Sequence, residues 1–180
     1  VYAKVDGRLT FKKWVQSVAD GRSYVSDGSC HLLNFSAQSE EGSTEVGTNK
    51  SELKLSEKEE VTFNVDAAAL MIGSDKVKLE LIINGYPVSE KTFTPDGKTS
   101  QISFKHSIEE SCWAAVRVFP NAHTNPIHVI VNNKPIRGSV DSARWCLAGV
   151  DQCWKSKQPT YADAEKDDAI KAYDHARDVY

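Results

Sequence analysis

The stretch VKLELIINGYPVSEKTF, residues 77–93, decides the fold. Val77, Leu79, Leu81 and Ile83 recur at every second position, the period of a strand with one buried face. Asn84-Gly85 follows, and both residues tolerate positive φ, so a two-residue type I′ turn returns the chain through Tyr86–Phe93. Outward from this hairpin the same signals repeat. Asp96-Gly97 turns the chain before Ser100–Phe104. Cys112–Phe119 and Ile127–Val131 are apolar runs of strand length, and Asn132-Asn133 turns the last of them back through Lys134–Ile136. Upstream, Tyr24-Val25, Leu32–Ser36, Glu52–Leu55 and Glu60–Ala67 read as strands, while the polar Gln38–Ser51 reads as a loop. Eight or nine short strands with a turn signal every ten or so residues predict a mainly β protein, an antiparallel immunoglobulin-like β-sandwich.

Helices flank the strands. Thr10 caps a short one in which Phe11, Trp14, Val15 and Val18 form an apolar stripe, and Gly21 stands where a left-handed terminating residue belongs. After the sandwich, Ser139 caps a helix with the stripe Val140, Ala143, Leu147, Val150 and Trp154, ended by Pro159. Thr160 with Asp163 resembles a capping box for a last helix with Ala169, Ala172, Tyr173, Ala176 and Val179 on its apolar face. The pair predicts a C-terminal helical hairpin.

The 180 residues are ample for a real core, and 22 Lys and Arg against 25 Asp and Glu leave a net charge of −3. Near-balanced charge argues against nucleic acid as a partner. The longest apolar run, Ala67–Ile72, is far too short to span a membrane. The charge is uneven: Thr160–Tyr180 holds six acidic and three basic residues and so carries the whole −3. This reads as the solvated face of an amphipathic helix.

Templates for chemistry are sparse. The chain has no HExxH, no paired CxxC, no GxSxG elbow and no Gly-rich phosphate loop. Glu40-Glu41 and Glu109-Glu110 are adjacent and would point to opposite faces of a strand, which suits them poorly to acid/base work. Cys146 and Cys153 stand seven apart on one helix, about 10.5 Å at the usual rise. A disulfide needs about 4.4 to 6.8 Å between Cα atoms, so they do not pair with each other. Cross-pairs with Cys30 or Cys112 and four free thiols both stay open. The four Trp (Trp14, Trp113, Trp145, Trp154) lie on helix stripes or ends and on an apolar strand, and read as core rather than as sugar platforms.

Several stretches together resemble a known family. Gly21-Arg22-Ser23-Tyr24-Val25-Ser26-Asp27-Gly28, Leu81–Val88 with its central Asn84-Gly85, the His123-Thr124-Asn125-Pro126-Ile127 strand entry, and Lys134-Pro135-Ile136-Arg137 followed by Arg144-Trp145-Cys146-Leu147 to Trp154 are similar to the C-terminal region of carbaryl-hydrolase-like metallohydrolases of the polymerase-and-histidinol-phosphatase superfamily. The resemblance covers nearly the whole chain but not the family's catalytic barrel with its early His-x-His. It implies that residues 1–28 are the last helix and strand of an upstream domain, 29–137 a β-sandwich and 138–180 a helical hairpin. It also implies no catalytic residue, metal ligand or cofactor in this chain, with a divalent metal only in the upstream domain. The partner would be that catalytic domain or another copy of the chain, and the setting extracytoplasmic, as for many exported relatives.

Three functions compete. The first is a non-catalytic accessory domain packed on a metallohydrolase barrel and helping to shape its substrate cleft, which predicts an orphan apolar patch at Phe11 and Trp14. Its loop His123-Thr124-Asn125 would carry binding contacts, against the alternative that Asn125-Pro126 is only a turn, cis or trans, setting up the next strand. Arg137 belongs to the same candidate surface, although a structural ion pair fits it better than anion binding. The second is an independent immunoglobulin-like ligand- or protein-binding module. The third is a free-standing enzyme with a metal at Asp27, His31, His123 or His128.

Overall fold

The computed structural model describes residues 1–71 and 73–180, in two compact units, Val1–Ile136 and Arg137–Tyr180. The first is built from two sheets. The larger holds β1 (Tyr2–Ala3), β2 (Ser23–Ser26), β5 (Glu52–Leu55), β7 (Val77–Ile83), β8 (Tyr86–Phe93), β10 (Cys112–Val118), β11 (Ala122–Thr124) and β12 (Ile127–Val131). The smaller has the order β4 (Ser43–Glu45), β3 (Cys30–Gln38), β6 (Glu59–Ala69) and β9 (Ser100–Ile108). Alternation buries one face of each strand: Val61, Phe63, Val65, Ala67 and Ala69 of β6, and Val77, Leu79 and Leu81 of β7, join a single core between the sheets. Phe35 stacks on Phe63 at 6.3 Å across β3 and β6. This is a mainly antiparallel β-sandwich, with a short N-terminal helix and C-terminal helices.

The deciding hairpin forms as its sequence dictates. Asn84 and Gly85 both take positive φ, 48° and 93°, and Ile83 pairs with Tyr86. Besides the short β1 and β11, which were not expected, the strands differ from expectation in three places. The polar stretch after Gln38 contains β4, paired with β3 through Ser36 and Glu45. The pairing is not wholly antiparallel, since β5 runs parallel to β12. Asn132 and Asn133 do turn the chain, with φ of 51° and 53°, but no return strand follows. Both edges of β12 are already taken, by β10 and β5, and Pro135 offers no N–H.

β10 organises the larger sheet. One edge pairs with β7, and the other carries β12 at Cys112–Ala114 and β11 at Arg117–Val118. β11 and β12 are one strand broken at Asn125-Pro126, where the register steps by one residue, a β-bulge. β2 pairs with β11 and β1 with β2, so residues 2–26 extend this same sheet. The cis X-Pro bond among the described residues is Phe119–Pro120 rather than Asn125–Pro126.

Helix α1 (Phe11–Ala19) starts where Thr10 accepts from the Lys13 amide at 3.3 Å and ends at Gly21, φ 78°. It buries Ser17 and half-buries Val18, turning the rest of its stripe to solvent. In the second unit, α2 (Val140–Lys157) is capped by Ser139 and pairs with α3 (Lys166–Val179). Ala143, Leu147, Val150 and Trp154 of α2 and Ala169, Tyr173 and Ala176 of α3 are the half-buried faces. Trp154 lies 4.9 Å from the Tyr173 ring, and Arg177 donates to Asp151 at 2.8 Å between the helices. Val140 is exposed instead of continuing the stripe. The last helix is entered through Glu165, which accepts from the Ala162 amide, while Thr160 donates to the Lys157 carbonyl. No residue from 137 to 180 is fully buried.

All four cysteines are free. No helix among the described residues is long and apolar enough to cross a membrane.

Candidate functional site

The outer face of the larger sheet carries a groove of about 630 Å³ beside the β11–β12 break. Ile82 of β7 and Ala115 of β10 form its floor, 4% and 9% exposed although they point away from the sandwich core. They are shielded by what rises around them. Trp113 and His128, directly paired across β10 and β12, stand at one end. Arg117 and His123, paired across β10 and β11, stand at the other with Phe119.

Each wall is held by identifiable contacts. The Trp113 amide donates to Asn84 Oδ1 at 3.1 Å, and the Asn84 amide donates to the Trp113 carbonyl at 3.0 Å. The hairpin turn therefore fixes the indole's backbone. Arg117 Nε donates to Glu80 Oε2 at 2.6 Å, and the guanidinium lies 5.6 Å from the centre of the exposed Phe119 ring. The Glu80 side chain is only 8% exposed, and Lys78 Nζ reaches it at 3.0 Å. The bond from Arg117, then that from Lys78, holds the Glu80 carboxyl below its ordinary range despite burial. Lys78 also pairs with Glu90 at 2.9 Å, so the network is two cations and two anions.

Of the residues singled out from sequence, His123, Thr124 and Asn125 all line this groove, with differing roles. Thr124 is buried, and its Oγ1 accepts from the Val116 amide at 3.0 Å, satisfying a donor left over by the bulge. Asn125 Nδ2 donates to the Gly21 carbonyl at 2.9 Å and to Ser23 Oγ at 3.0 Å, tying the bulge to the end of α1. His123 is exposed, with Nδ1 3.2 Å from the Thr124 carbonyl. Phe11 and Trp14 stand apart from the groove, 82% and 38% exposed on α1. Arg137 is exposed and makes no ion pair with the described residues.

The four residues considered for a metal are not brought together. Asp27 accepts from the Ser29 amide and hydroxyl and from Asn121 Nδ2, bonds that keep its carboxyl below the usual range. His31 Nδ1 lies 2.7 Å from the Tyr24 hydroxyl, whose pKa burial pushes up to about 12. His123 and His128 share the groove without a carboxylate or thiol set. Among the described residues no group of three His, Cys, Asp or Glu is placed to hold a metal ion.

A second hollow of about 290 Å³ lies between β1–β2 and β3, lined by Arg22, Tyr24, Asn34 and Glu45 among others. Its charges are mostly spent on one another: Lys4 Nζ bonds Glu45 and Asn34, and Arg22 bonds Asp6.

Trp113, Arg117, Phe119 and Glu80 were not legible as a site. Trp113 reads as core within an apolar run, yet the core positions of β10 are Cys112, Ala114, Val116 and Val118. The alternate set Trp113, Ala115, Arg117 was the available signal, an aromatic and a cation four positions apart on the same outer face. Trp145 likewise is no core residue, being 78% exposed.

No protein-family model matches the chain, and no curated protein matches its sequence significantly.

Proposed function

We propose that this chain is a non-catalytic accessory β-sandwich that packs on the catalytic barrel of a metal-dependent hydrolase and helps to shape its substrate cleft. The observation that carries this reading is the unpartnered apolar face of α1. Phe11, Trp14 and Val15 are exposed along α1, with Leu9 exposed just before it. A face of large side chains left in water marks an interface. The helix is tied to the β11–β12 bulge through Asn125, so a domain docked on α1 would lie on the element that leads into the groove. The resemblance of the Gly21–Gly28 and His123–Ile127 stretches to metallohydrolase tails names the kind of partner, and any divalent metal would belong to that partner.

The test begins with the reading frame upstream of Val1. A barrel domain bearing His-x-His is expected there, and when produced separately it should bind this chain with an affinity that Phe11→Asp with Trp14→Ser abolishes. A frame that opens within a few codons of Val1, or a barrel that ignores both forms of the chain, overturns the reading. An independent immunoglobulin-like binding module is the second reading, favoured by the groove on the opposite surface of the larger sheet from its core.

A further inference from the structure

We propose that the groove on the outer face of the larger sheet is a binding site for a small, planar, apolar molecule bearing one carboxylate. This inference does not depend on what docks on α1. Three features of the groove define the ligand.

Its floor is aliphatic, Ile82 and Ala115, and its ends are aromatic, Trp113 and Phe119. Such a surface takes up a flat apolar body by stacking and burial of area. Trp113 is pre-positioned for this, because Asn84 grips its backbone from both sides and Gly85, φ 93°, lies against the indole with no side chain in the way. The backbone that carries this aromatic wall is thus held before any ligand arrives.

The polar group is a directional donor. Arg117 lines the groove, and only its Nε is engaged, by Glu80. Its Nη groups make no hydrogen bond to the described residues, leaving N–H donors of the fork that suits a carboxylate. Glu80 and the Phe119 ring hold the guanidinium in place, so little rotamer freedom remains to be lost on binding. His123 of β11 pairs with Arg117 of β10 and adds a second polar group at the same end.

Charge sets the valence. Lys78, Glu80, Glu90 and Arg117 form a closed network with no net charge. A phosphate or other multiply charged anion would find donors but little attraction, whereas a single carboxylate meets a hydrogen-bonding fork beside an apolar wall.

The experiment uses the full chain, labelled with ¹⁵N, and two isosteric probes, indole-3-acetate and indole-3-acetamide. The acid is expected to shift the Trp113 indole N–H and the backbone amides of Arg117 and Val118 in a saturable manner. The neutral amide should bind at least about tenfold more weakly, as expected for loss of a charge-assisted bond. Arg117→Gln should erase the preference for the acid. Because that variant also removes a partner of Glu80, Phe119→Ala is run beside it. Phe119 is exposed, so its loss spares the core and should weaken the acid several-fold. Absence of saturable shifts, equal binding of acid and amide, or shifts clustered away from β10 and β11 overturns the proposal. Inorganic phosphate binding more tightly than the acid overturns it too.

Discussion

Glu80→Gln isolates the contact that orients the groove. Glu80 is a nearly buried carboxylate on the outer side of a sheet, accepting from Arg117 at 2.6 Å and Lys78 at 3.0 Å. Charge-assisted bonds of this kind contribute about 1.5–3 kcal/mol each when both partners are dry. Here the two cations are 35% and 56% exposed, and water recovers much of their solvation once the carboxylate is gone. Gln also keeps an oxygen that accepts from one of them. The net loss is therefore about 2 kcal/mol at neutral pH, which in a chain of this size lowers the melting temperature by about 4–8 °C. The pH dependence gives the sharper test. Arg117 and Lys78 hold the folded-state pKa of Glu80 below its ordinary 4.5, so the stabilisation is fully present above that value and is lost as pH falls through the folded-state pKa. Thermal melts of wild type and variant should differ at pH 7 and converge in acid below pH 4.5. Coincident melts at pH 7, or a gap that persists undiminished after acidification, would refute the view that this ion pair is a paired, desolvated contact.

Leu79 is fully buried in the core, and Leu79→Ala is expected to destabilise the sandwich by about 3–5 kcal/mol in urea titrations. Gly47→Ala should destabilise by about 2 kcal/mol or more, because a Cβ there would lie 1.9 Å from Arg22 Cγ and 2.6 Å from its amide nitrogen, at φ 78°. Asn125→Ala should cost about 1–2 kcal/mol by removing the bonds to Gly21 and Ser23, measured by chemical denaturation. Maleimide at pH 7 should label exposed Cys153 promptly, leaving Cys30 and Cys112 unmodified until the chain is unfolded; burial pushes both of those thiols up to about 11.

The β-sandwich was legible because its strands follow local rules. Alternation along Val77–Ile83 and the Asn84-Gly85 turn need no knowledge of distant residues. What escaped depended on partners far along the chain. Nothing local to Glu52–Leu55 says that it will run parallel to Ile127–Val131, and nothing local to Lys134–Ile136 reveals that both edges of β12 are already occupied. The groove was half legible. His123, Thr124 and Asn125 were found as a polar loop, while Trp113 and Arg117 hid inside what looked like a uniformly apolar strand. Their outward direction follows from the two-residue period alone, but the significance of Arg117 needed Glu80, which lies 37 residues away in sequence.

The placement of β2 also sets an order of events during synthesis. Its strand partner is β11, and the Asp27–Asn121 bond that locks the same corner joins residues 94 apart. β5 must likewise wait for β12. Each of these pairings closes a long loop, which is slow relative to the local hairpins β7–β8 and β10–β11. β2 and the apolar α1 beside it are thus synthesised well before β11 and find their place only once it has followed. During that interval they offer an unpaired edge and a sticky helix, the features that recruit chaperones or invite aggregation.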